Sequence, residues 1–385
     1  MNGRKIVRTK LAAITLVAFA VALAGGSAVA AFTSGAPKVA LATKLARATM
    51  LPVKFTPPGP PIPVGTSLRG KKVQLISPID NQFSETAGKA MQAAGKVAGV
   101  TVFTDYAAGS LTQIQSGIQS AITKHVNAIV ILSVPPAAIA QPIRNAISHG
   151  IPVLMMGDHD PGPLNATERS LGIKADITGC YSCAGRSIAN FVVSESKGSA
   201  HALFINSPDI GDATLEMNGF KSQMKKLCSS CSVQTVGIPV ANWATQITSS
   251  VASAIAAHPD INYIVPVFDT MEAFVTPAIK AANAVNRVKL ASFNASEAQM
   301  KEMQAGTKPT WIADGGYNLT WWGWTAMDDV FRVLLNKPAL PSEAVPQGFF
   351  THASSKRYNF SGSQDPWYGN PQYVSGFKKL WGITH

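Results

Sequence analysis

The first 70 residues contain no aspartate or glutamate, although they contain nine arginines and lysines. The rest of the chain holds 24 basic and 21 acidic side chains, so most of the formal net charge of +12 belongs to the amino-terminal segment. A nucleic-acid-binding domain carries its basic residues as a patch on its folded surface. The sequence therefore predicts no nucleic-acid partner, despite a pI of about 9.5.

Patterns that mark several common enzyme classes are also missing. There is no G-x-x-x-x-G-K-[ST], no G-x-S-x-G, no H-E-x-x-H, and no G-x-G-x-x-G after a predicted strand. His159 between Asp158 and Asp160 is the best candidate for a base or a metal ligand, but the following Pro161-Gly162-Pro163 is typical of a turn. We predict a protein that is not an enzyme and has no catalytic residue, metal or cofactor. The weaker alternative is an enzyme that uses these three residues.

Only four cysteines are present, and they form two C-x-x-C pairs: Cys180 with Cys183, and Cys228 with Cys231. In an exported protein such pairs predict disulfides. A four-thiolate zinc site is the alternative, although the 44 residues between the pairs are long for a compact zinc ribbon. The spacing leaves open whether bridges form within or between the pairs.

The amino terminus has the layout of a secretory signal peptide over residues 1–30. Four basic residues precede an apolar run at Leu11–Ala24, and Ala28-Val29-Ala30 matches a small-x-small cleavage site. The sequence therefore predicts export, to the periplasm or the outer face of the cytoplasmic membrane. The alternative is an uncleaved leader that tethers the protein, although the apolar run is short for a span of about 20 residues.

Residues 31–69 separate this leader from the predicted core and are interpreted as a Pro-rich tether. Pro57–Pro63 favours an extended polyproline II conformation. Residues 38–55 are weakly amphipathic and basic, so they could lie on an anionic membrane surface. A solvated spacer is the preferred interpretation.

From Lys71 onward, short apolar runs alternate with segments of helical period. The predicted strands are Val73–Ile76, Val100–Thr104, Ala128–Leu132, Val153–Met156, Ala202–Ile205, Val233–Ile238, Tyr263–Val267, Lys289–Phe293 and Trp311–Ala313. The helical segments between and after them have 12 to 17 residues, a pattern that predicts an α/β fold with parallel sheets flanked by helices. Residues Gln347–His385 are expected to form a surface tail of loop with one short helix at Gln372–Leu380.

Polar and aromatic side chains follow most of the predicted strands. In open parallel sheets, ligands bind outside the carboxyl ends of the strands, so these side chains are the candidate site. Carboxylates and amides bind hydroxyls, and aromatic faces cover the apolar faces of a sugar ring. Helix capping is the alternative, because it uses the same Asp, Asn and Ser residues. The candidates are Asn81, Phe83, Ser133, Asp158, Trp243, Phe268, Asp269, Asn294 and Asp314.

Six short motifs follow one another along the core. They are Val73–Phe83, Asn127–Pro135, Gly150–Met156, Met217–Phe220, Ala257–Ile261 and Ala291–Asn294. Their order resembles the type I periplasmic binding proteins of the ribose-binding family, in which G-I-P-V, R-x-x-G-F and H-P-D-I segments occupy the corresponding places. Each motif is weak, but together they cover about residues 71–340.

The resemblance implies two lobes that are joined by three crossings and close on a ligand. It assigns residues 71–174 and 314–385 to the amino-terminal lobe and 175–313 to the carboxyl-terminal lobe. It also implies a monomer that delivers a small molecule to an ABC permease in the membrane. A sensory protein that presents its ligand to a membrane receptor is the alternative. A lactose-repressor-type regulator is excluded, because a leader and a tether precede the core instead of a helix-turn-helix.

The resemblance also indicates where the ligand site departs from the family pattern. Phe83 and Trp243 correspond to aromatic residues that sandwich a sugar ring. Glu216 stands where the family has a sugar-binding arginine, and no arginine follows Asp158. Together with Asp314 these residues predict an acidic cleft, and a buried carboxylate needs hydrogen-bond donors or a cation. The expected ligand is therefore a sugar, a polyol, an amino sugar or another cationic compound.

Overall fold

Strands and helices alternate along the computed structural model of the protein, which describes residues 36–49, 54–306, 310–340, 345–361, 364–369 and 372–383. The predicted signal peptide at residues 1–30 lies outside the described residues. The strands are β1 Lys72–Ser77, β2 Thr101–Tyr106, β3 Ala128–Leu132, β4 Val153–Met156, β5 His201–Asn206, β6 Ser232–Gly237, β7 Tyr263–Pro266, β8 Lys289–Asn294, β9 Trp311–Tyr317 and β10 Gln347–Thr351. The helices are α1 Val39–Ala48, α2 Gln82–Val97, α3 Leu111–Thr123, α4 Ala140–Ser148, α5 Ala166–Leu171, α6 Tyr181–Glu195, α7 Ala213–Leu227, α8 Trp243–Ala257, α9 Glu272–Ala281, α10 Glu297–Ala305, α11 Leu319–Leu334, α12 His352–Ser355 and α13 Tyr373–Leu380.

Two sheets organise these strands, and each forms the centre of one lobe. The first sheet is parallel, in the order β2-β1-β3-β4. The second has the order β10-β9-β8-β7-β5-β6 and is parallel except for β10, which is antiparallel to β9. All nine predicted strands are present. Strands such as β3, buried at all five residues, give near-continuous apolar runs because helices cover both faces of the sheet. The predicted α/β fold is confirmed.

The chain passes between the two lobes three times, as the resemblance implied, because α11 packs on the first lobe between two strands of the second sheet. The first passage follows β4 and leads to α6, and a parallel bridge between Met155 and Asp176 lies at its start. The second runs from β9 to α11, where Gly323 of α11 packs against Ala87 and Ala90 of α2. The third returns from α11 to β10. These passages are the segments about which the lobes can turn.

The carboxyl-terminal part of the chain differs from the expected surface tail. β10 pairs with β9, and Phe350 of β10 packs edge-on against Trp367 and Tyr368. The predicted short helix is present as α13. Sheet membership also departs from the lobe boundary predicted at residue 314, because β9 and β10 both extend the second sheet while α11 packs on the first lobe. Polar and glycine residues between the aromatic ones obscured the strand.

The described part of the predicted tether is packed on the protein. Helix α1 lies on α6 and α7, with Ala42 fully buried. Thr43 Oγ1 is 2.6 Å from Ser194 Oγ, and the Lys38 N–H donates to the Leu227 carbonyl at 2.7 Å. The weak amphipathicity of this segment therefore marks a helix that buries one face against the second lobe.

The Pro-rich stretch that follows packs on the first lobe. Phe55 contacts Trp321 and Phe377, with ring centroids 5.5 and 5.1 Å apart, respectively. The Ile62 N–H donates to the Leu380 carbonyl at 2.9 Å, and the buried Arg332 donates to the Pro60 carbonyl at 3.1 Å. The solvated spacer is therefore the wrong interpretation for residues 36–49 and 54–69. Searching the described residues for a helix of sufficient length and apolarity to cross a membrane yields none.

Candidate functional site

A cavity of about 20 Å³ lies between the two lobes. It sits at the carboxyl ends of β1 and β3 on one side, and at the loops after β5, β7 and β8 on the other. This volume holds about one water molecule and is far below the roughly 300–1,000 Å³ of small-molecule pockets, so a sugar-sized ligand requires the lobes to move apart. The lining residues are Ser77, Pro78, Ile79, Asn81, Phe83, Ser84, Leu132, Ser133, Ile210, Asp212, Phe268 and Asn294.

Five of the ten predicted ligand-binding residues line this cavity: Asn81, Phe83, Ser133, Phe268 and Asn294. Residues that follow different strands meet at this cavity because parallel strands end at the same edge of a sheet. Asp212 also lines the cavity but is not one of the ten; it follows β5 as the residue before α7, after Ser207 and Asp209. The same argument applies to it, but several polar residues follow β5 and their spacing does not show which one faces the other lobe.

Asn81 serves the fold as well as the cavity. Its side chain accepts a hydrogen bond from the Ser84 N–H at 3.0 Å and so caps α2. Ser84 Oγ lies 2.7 Å from Ser77 Oγ. The polar side chains that line the cavity from the first lobe are therefore hydrogen-bonded to one another. Phe83 is mostly buried and meets Trp322 edge-on at 5.8 Å. The capping alternative therefore holds for Asn81.

Two cavity-lining residues have strained backbones. Ser133 has φ of 50° and Asn294 has φ of 98°, in the left-handed region that residues other than glycine seldom adopt. Such strain costs about 1–3 kcal/mol and concentrates where a binding site imposes it. The side chains of both are buried, and Asn294 Oδ1 has no hydrogen-bond partner among the described residues.

Asp212 is the one carboxylate among the lining residues. It is almost fully buried, and burial is the main cause that raises its pKa to about 7; the negative charge of Asp158 raises it further. Ser133 is close enough to lower that pKa by hydrogen bonding. Neither Ser133 Oγ nor Asp212 Oδ1, however, completes a hydrogen bond of normal geometry.

Trp243 does not line the cavity, which corrects the predicted aromatic sandwich. Its Nε1–H donates to Ser207 Oγ at 2.8 Å and lies 3.2 Å from the Ile238 carbonyl. Its ring packs on Phe268 with centroids 5.8 Å apart. The aromatic residues that line the cavity are Phe83 and Phe268, and Trp243 supports the second of them.

Glu216, Asp269 and Asp314 are buried but do not line the cavity. Glu216 accepts a hydrogen bond from the Tyr317 hydroxyl at 2.9 Å. Asp269 accepts from the Ser296 N–H at 2.6 Å, and Asp314 accepts from Ala295 N–H at 3.0 Å. These last two carboxylates therefore fix the loop after β8 that carries Asn294. None of the three reaches the cavity lining, where they were predicted to bind the ligand.

Asp158, His159 and Asp160 do not converge on a common point. Asp176 accepts hydrogen bonds from the backbone N–H groups of Gly157, Asp158 and His159 at 2.8, 3.0 and 3.1 Å. The side chain of Asp160 instead accepts from the Ser182 N–H at 2.9 Å. The loop after β4 is thus tied to the first crossing, and Asp158 does not reach the lining of the cavity.

The imidazole of His159 lies beside the carboxylates of Glu168 and Asp176. Its Nε2 lies 3.1 Å from Glu168 Oε2 and 3.5 Å from Asp176 Oδ2. Among the described residues these three form the one group compact enough to hold a metal ion, with ligand atoms within 4.8 Å of one another. The carboxylate oxygens already accept backbone N–H groups, including Asn165 N–H at Glu168. The arrangement fits an imidazolium held between two carboxylates.

Thermal stability is expected to fall as the pH rises from about 5 to about 9.5. Burial raises the pKa of Asp176 to about 6 and of Asp158 and Asp212 to about 7, while the hydrogen bond to Glu168 raises the pKa of His159 to about 9. Groups with raised pKa bind protons more tightly in the folded state, so their contribution is complete at low pH and is lost as the pH passes these values. Unfolding midpoints measured across this range test the prediction, and a rise over the window contradicts it. Asp80→Asn, at an exposed carboxylate, should leave the profile unchanged.

The cysteines come together within each C-x-x-C pair. Cys180 and Cys183 have Cα atoms 5.1 Å apart at the start of α6, and Cys228 and Cys231 have Cα atoms 5.3 Å apart after α7. Both separations lie within the usual range for a disulfide. Bridges between the pairs are not formed in this structure, which resolves the pairing that the spacing left open.

The match to a known family agrees with this architecture. A family model described as a periplasmic binding protein domain matches residues 75–337. This protein therefore belongs to the periplasmic binding protein family, as the order of the motifs predicted. Its relatives are solute-binding proteins and not enzymes, so the prediction that the protein is not an enzyme is confirmed. A search of curated proteins finds no match.

Solved structures of similar fold extend over most of the chain. A 5-methylthioribose transporter solute-binding protein from Thermotoga lettingae has a TM-score of 0.68 and 17% identity, covering 84% of this chain and 99% of its own. An ABC transporter solute-binding protein from Agrobacterium vitis with bound allitol has a TM-score of 0.66 and 19% identity, covering 75% and 98%. The fructose-binding periplasmic domain of a hybrid two-component system has a TM-score of 0.65 and 14% identity, covering 81% and 99%. At identities this low, the structural likeness establishes the shared two-lobed fold alone.

Proposed function

We propose that this protein is the solute-binding component of an ABC importer, and that it binds a small sugar or polyol by closing its two lobes. The observation that carries the proposal is a cavity whose walls come from both lobes, with aromatic and polar residues together. Phe83 and Phe268 provide apolar surface for the C–H faces of a ring, and Asp212 and Asn294 provide acceptors for hydroxyl groups. The sugars and polyol named with the similar structures support this class of ligand.

Direct contacts between the lobes support closure as the mechanism. The Gly211 N–H of the second lobe donates to the Ser133 carbonyl of the first at 3.2 Å. The Ala298 N–H donates to Gln82 Oε1 at 3.0 Å. A ligand held between these walls favours the closed arrangement over the open one, because it contacts both lobes only when they meet. The permease can then distinguish loaded from empty protein by shape.

Export, partner and oligomeric state are parts of the same proposal. We infer a periplasmic protein that acts as a monomer, with the two C-x-x-C pairs oxidised as disulfides, and with an ABC permease as its membrane partner. The predicted leader at residues 1–30 supplies the route of export. Whether it is cleaved decides between a free protein and one tethered to the outer face of the membrane, which sequencing the amino terminus of the mature protein measures.

A sensory role is the second candidate function. The observation that favours it is the likeness to a fructose-binding domain of a hybrid two-component system. In that role the closed lobes would present the ligand to a membrane receptor. Co-purification from membranes after crosslinking in the presence of ligand distinguishes the two, since it recovers a permease in one case and a receptor kinase in the other.

Phe268→Ala is expected to weaken binding of the best sugar or polyol from a thermal-shift screen by about tenfold or more. The substitution removes the aromatic wall of the second lobe from the cavity, and burying an aromatic face contributes roughly 1.5–3 kcal/mol. Isothermal titration calorimetry measures the change in Kd. Phe103→Ala is the matched control, because Phe103 is exposed on β2 and away from the cavity. Equal affinity of the Phe268 variant and the parent would contradict the proposed site.

A further inference from the structure

Three buried side-chain oxygens in the cavity complete no hydrogen bond of normal geometry with any described residue, although Ser133 lies close enough to Asp212 to lower its pKa. They are Ser133 Oγ, Asp212 Oδ1 and Asn294 Oδ1. Each belongs to a residue that is at most 5% exposed. A buried acceptor without a donor costs free energy, so such atoms are expected to face a ligand that supplies donors. They come from both lobes, Ser133 from the first and the other two from the second.

The cavity has no positive charge to balance Asp212. None of the described residues that line it is lysine or arginine. His159, in the loop after β4 of the first lobe, is already engaged by Glu168 and Asp176. The charge that the cavity lacks is therefore expected to arrive with the ligand.

The two charged side chains with the largest effect on the pKa of Asp212 are both acidic. Asp158 and Asp176 both raise its pKa, and Asp212 in turn raises the pKa of Glu216, Tyr181 and Tyr317. Burial is the largest cause in each case. Such a site stabilises a cation and disfavours an additional negative charge.

We propose that the ligand carries a protonated amine, and that its ammonium group binds Asp212, with Ser133 and Asn294 as the other two acceptors. This inference rests on the proposed solute-binding function and names the class of solute. An ammonium group has three donors and no acceptor, which matches three acceptors in one cavity. The remaining lining, Phe83 and Phe268, suits the carbon skeleton of an amino sugar or an aminated polyol.

A neutral sugar would use the same cavity differently. Asp212 would then be protonated, and its hydroxyl would donate to a ligand oxygen. Affinity would fall as the pH rises through about 7, the pKa to which burial raises Asp212. An amine ligand gives the opposite sign: affinity rises over the same range, because the charged carboxylate binds the ammonium, and binding releases protons from Asp212. Titrations in buffers of different ionisation enthalpy measure that release.

The test compares matched compounds with the purified protein by thermal shift and calorimetry. The probes are D-glucosamine, D-galactosamine, D-mannosamine and 1-amino-1-deoxy-D-glucitol, each beside its neutral parent, and the three amino sugars also beside their N-acetyl forms. We expect at least one amine to bind roughly 10- to 100-fold more tightly than its neutral and N-acetyl partners, as a charged hydrogen bond would give. Asp212→Asn, which keeps the shape and removes the charge, should abolish that preference. Asp80→Asn, at an exposed carboxylate in the loop after β1, should keep that preference.

The possible outcomes separate this inference from the proposed function. A neutral sugar or polyol that binds as tightly as its amine, or an Asp212→Asn variant with unchanged amine affinity, overturns the amine inference and leaves the solute-binding function supported. If none of the compounds binds, the result counts against both the amine inference and the proposed solute-binding function. Ser133→Gly is a second variant should Asp212→Asn not fold: glycine keeps the left-handed backbone and removes the hydroxyl, so about a tenfold loss of amine affinity is expected.

Discussion

Gly211→Val is expected to weaken ligand binding at least about 100-fold while leaving the unliganded protein folded. A Cβ at Gly211 would lie 2.9 Å from Asp158 Oδ1, 3.4 Å from the Asp158 Cα and 3.5 Å from the Gly157 carbonyl oxygen. Those atoms belong to the opposite lobe, and a branched side chain adds two methyl groups beyond the Cβ. The Gly211 N–H would also lose its bond to the Ser133 carbonyl. The Asp158 carboxylate can rotate aside, but the two methyl groups of valine extend towards the Asp158 and Gly157 backbone, so the lobes close less completely.

Calorimetry and small-angle scattering together check this expectation. The variant should show weak or no heat of binding, and its radius of gyration should stay at the open value when ligand is added. Gly237→Val is the matched control, because Gly237 is exposed at the end of β6 and its Cβ would meet only Pro208 at 3.7 Å. Wild-type affinity in the Gly211 variant would show that closure does not bring these backbones together.

Gly185→Ala is expected to lower the free energy of unfolding by at least about 2 kcal/mol. A Cβ at Gly185 on α6 would lie 2.0 Å from the Glu216 carbonyl oxygen and 2.7 Å from the Phe220 nitrogen on α7. These are backbone atoms of a helix and cannot rotate aside, so the two helices must separate. Overpacking costs about 1–3 kcal/mol and more where contacts are this short, whereas alanine returns about 1 kcal/mol of helix propensity.

Chemical denaturation monitored by circular dichroism measures this loss. Gly219→Ala, whose Cβ would lie 2.2 Å from the Ser182 carbonyl oxygen, should behave similarly because it lies at the same helix crossing. Gly162→Ala is the control: its Cβ would come no closer than 3.8 Å to any atom considered, and it should change stability little. Equal stability of the Gly185 and Gly162 variants would contradict the close packing of α6 and α7.

The regular part of the fold was predictable from local sequence, and the packed amino-terminal segment was not. Strands such as β3 and β4 are continuous apolar runs between helical segments, and the observed bounds agree with the predicted ones. The sequence predicts a solvated spacer where helix α1 lies, because that segment is only weakly amphipathic. Its burial depends on α6 and α7, which lie more than a hundred residues further along the chain. Local pattern carries no information about so distant a partner.

The candidate site, like the fold, was predictable from local sequence only in part. Strand ends identified Asn81, Phe83 and Ser133 because parallel strands present their carboxyl ends at one edge. The same reasoning placed Trp243 in the site, where it supports Phe268 from behind. Sequence position shows that a residue lies near an edge. The direction of its side chain depends on the neighbours that pack against it.

The sequence by itself determined the family and the alternation of strands and helices. These follow from periodicity, motif order and residue type, which are local properties of the chain. Only the tertiary structure decided which carboxylates cap loops and which one lines the cavity. Asp269 and Asp314 accept hydrogen bonds from the backbone of the loop after β8 and lie outside the cavity lining, although Asp314 Oδ2 has no partner among the described residues. Asp212 also keeps an oxygen without a partner there, and it lines the cavity. That distinction arises where two lobes meet, because the hydrogen-bond partners and the loss of water at each carboxylate are set by segments distant in sequence.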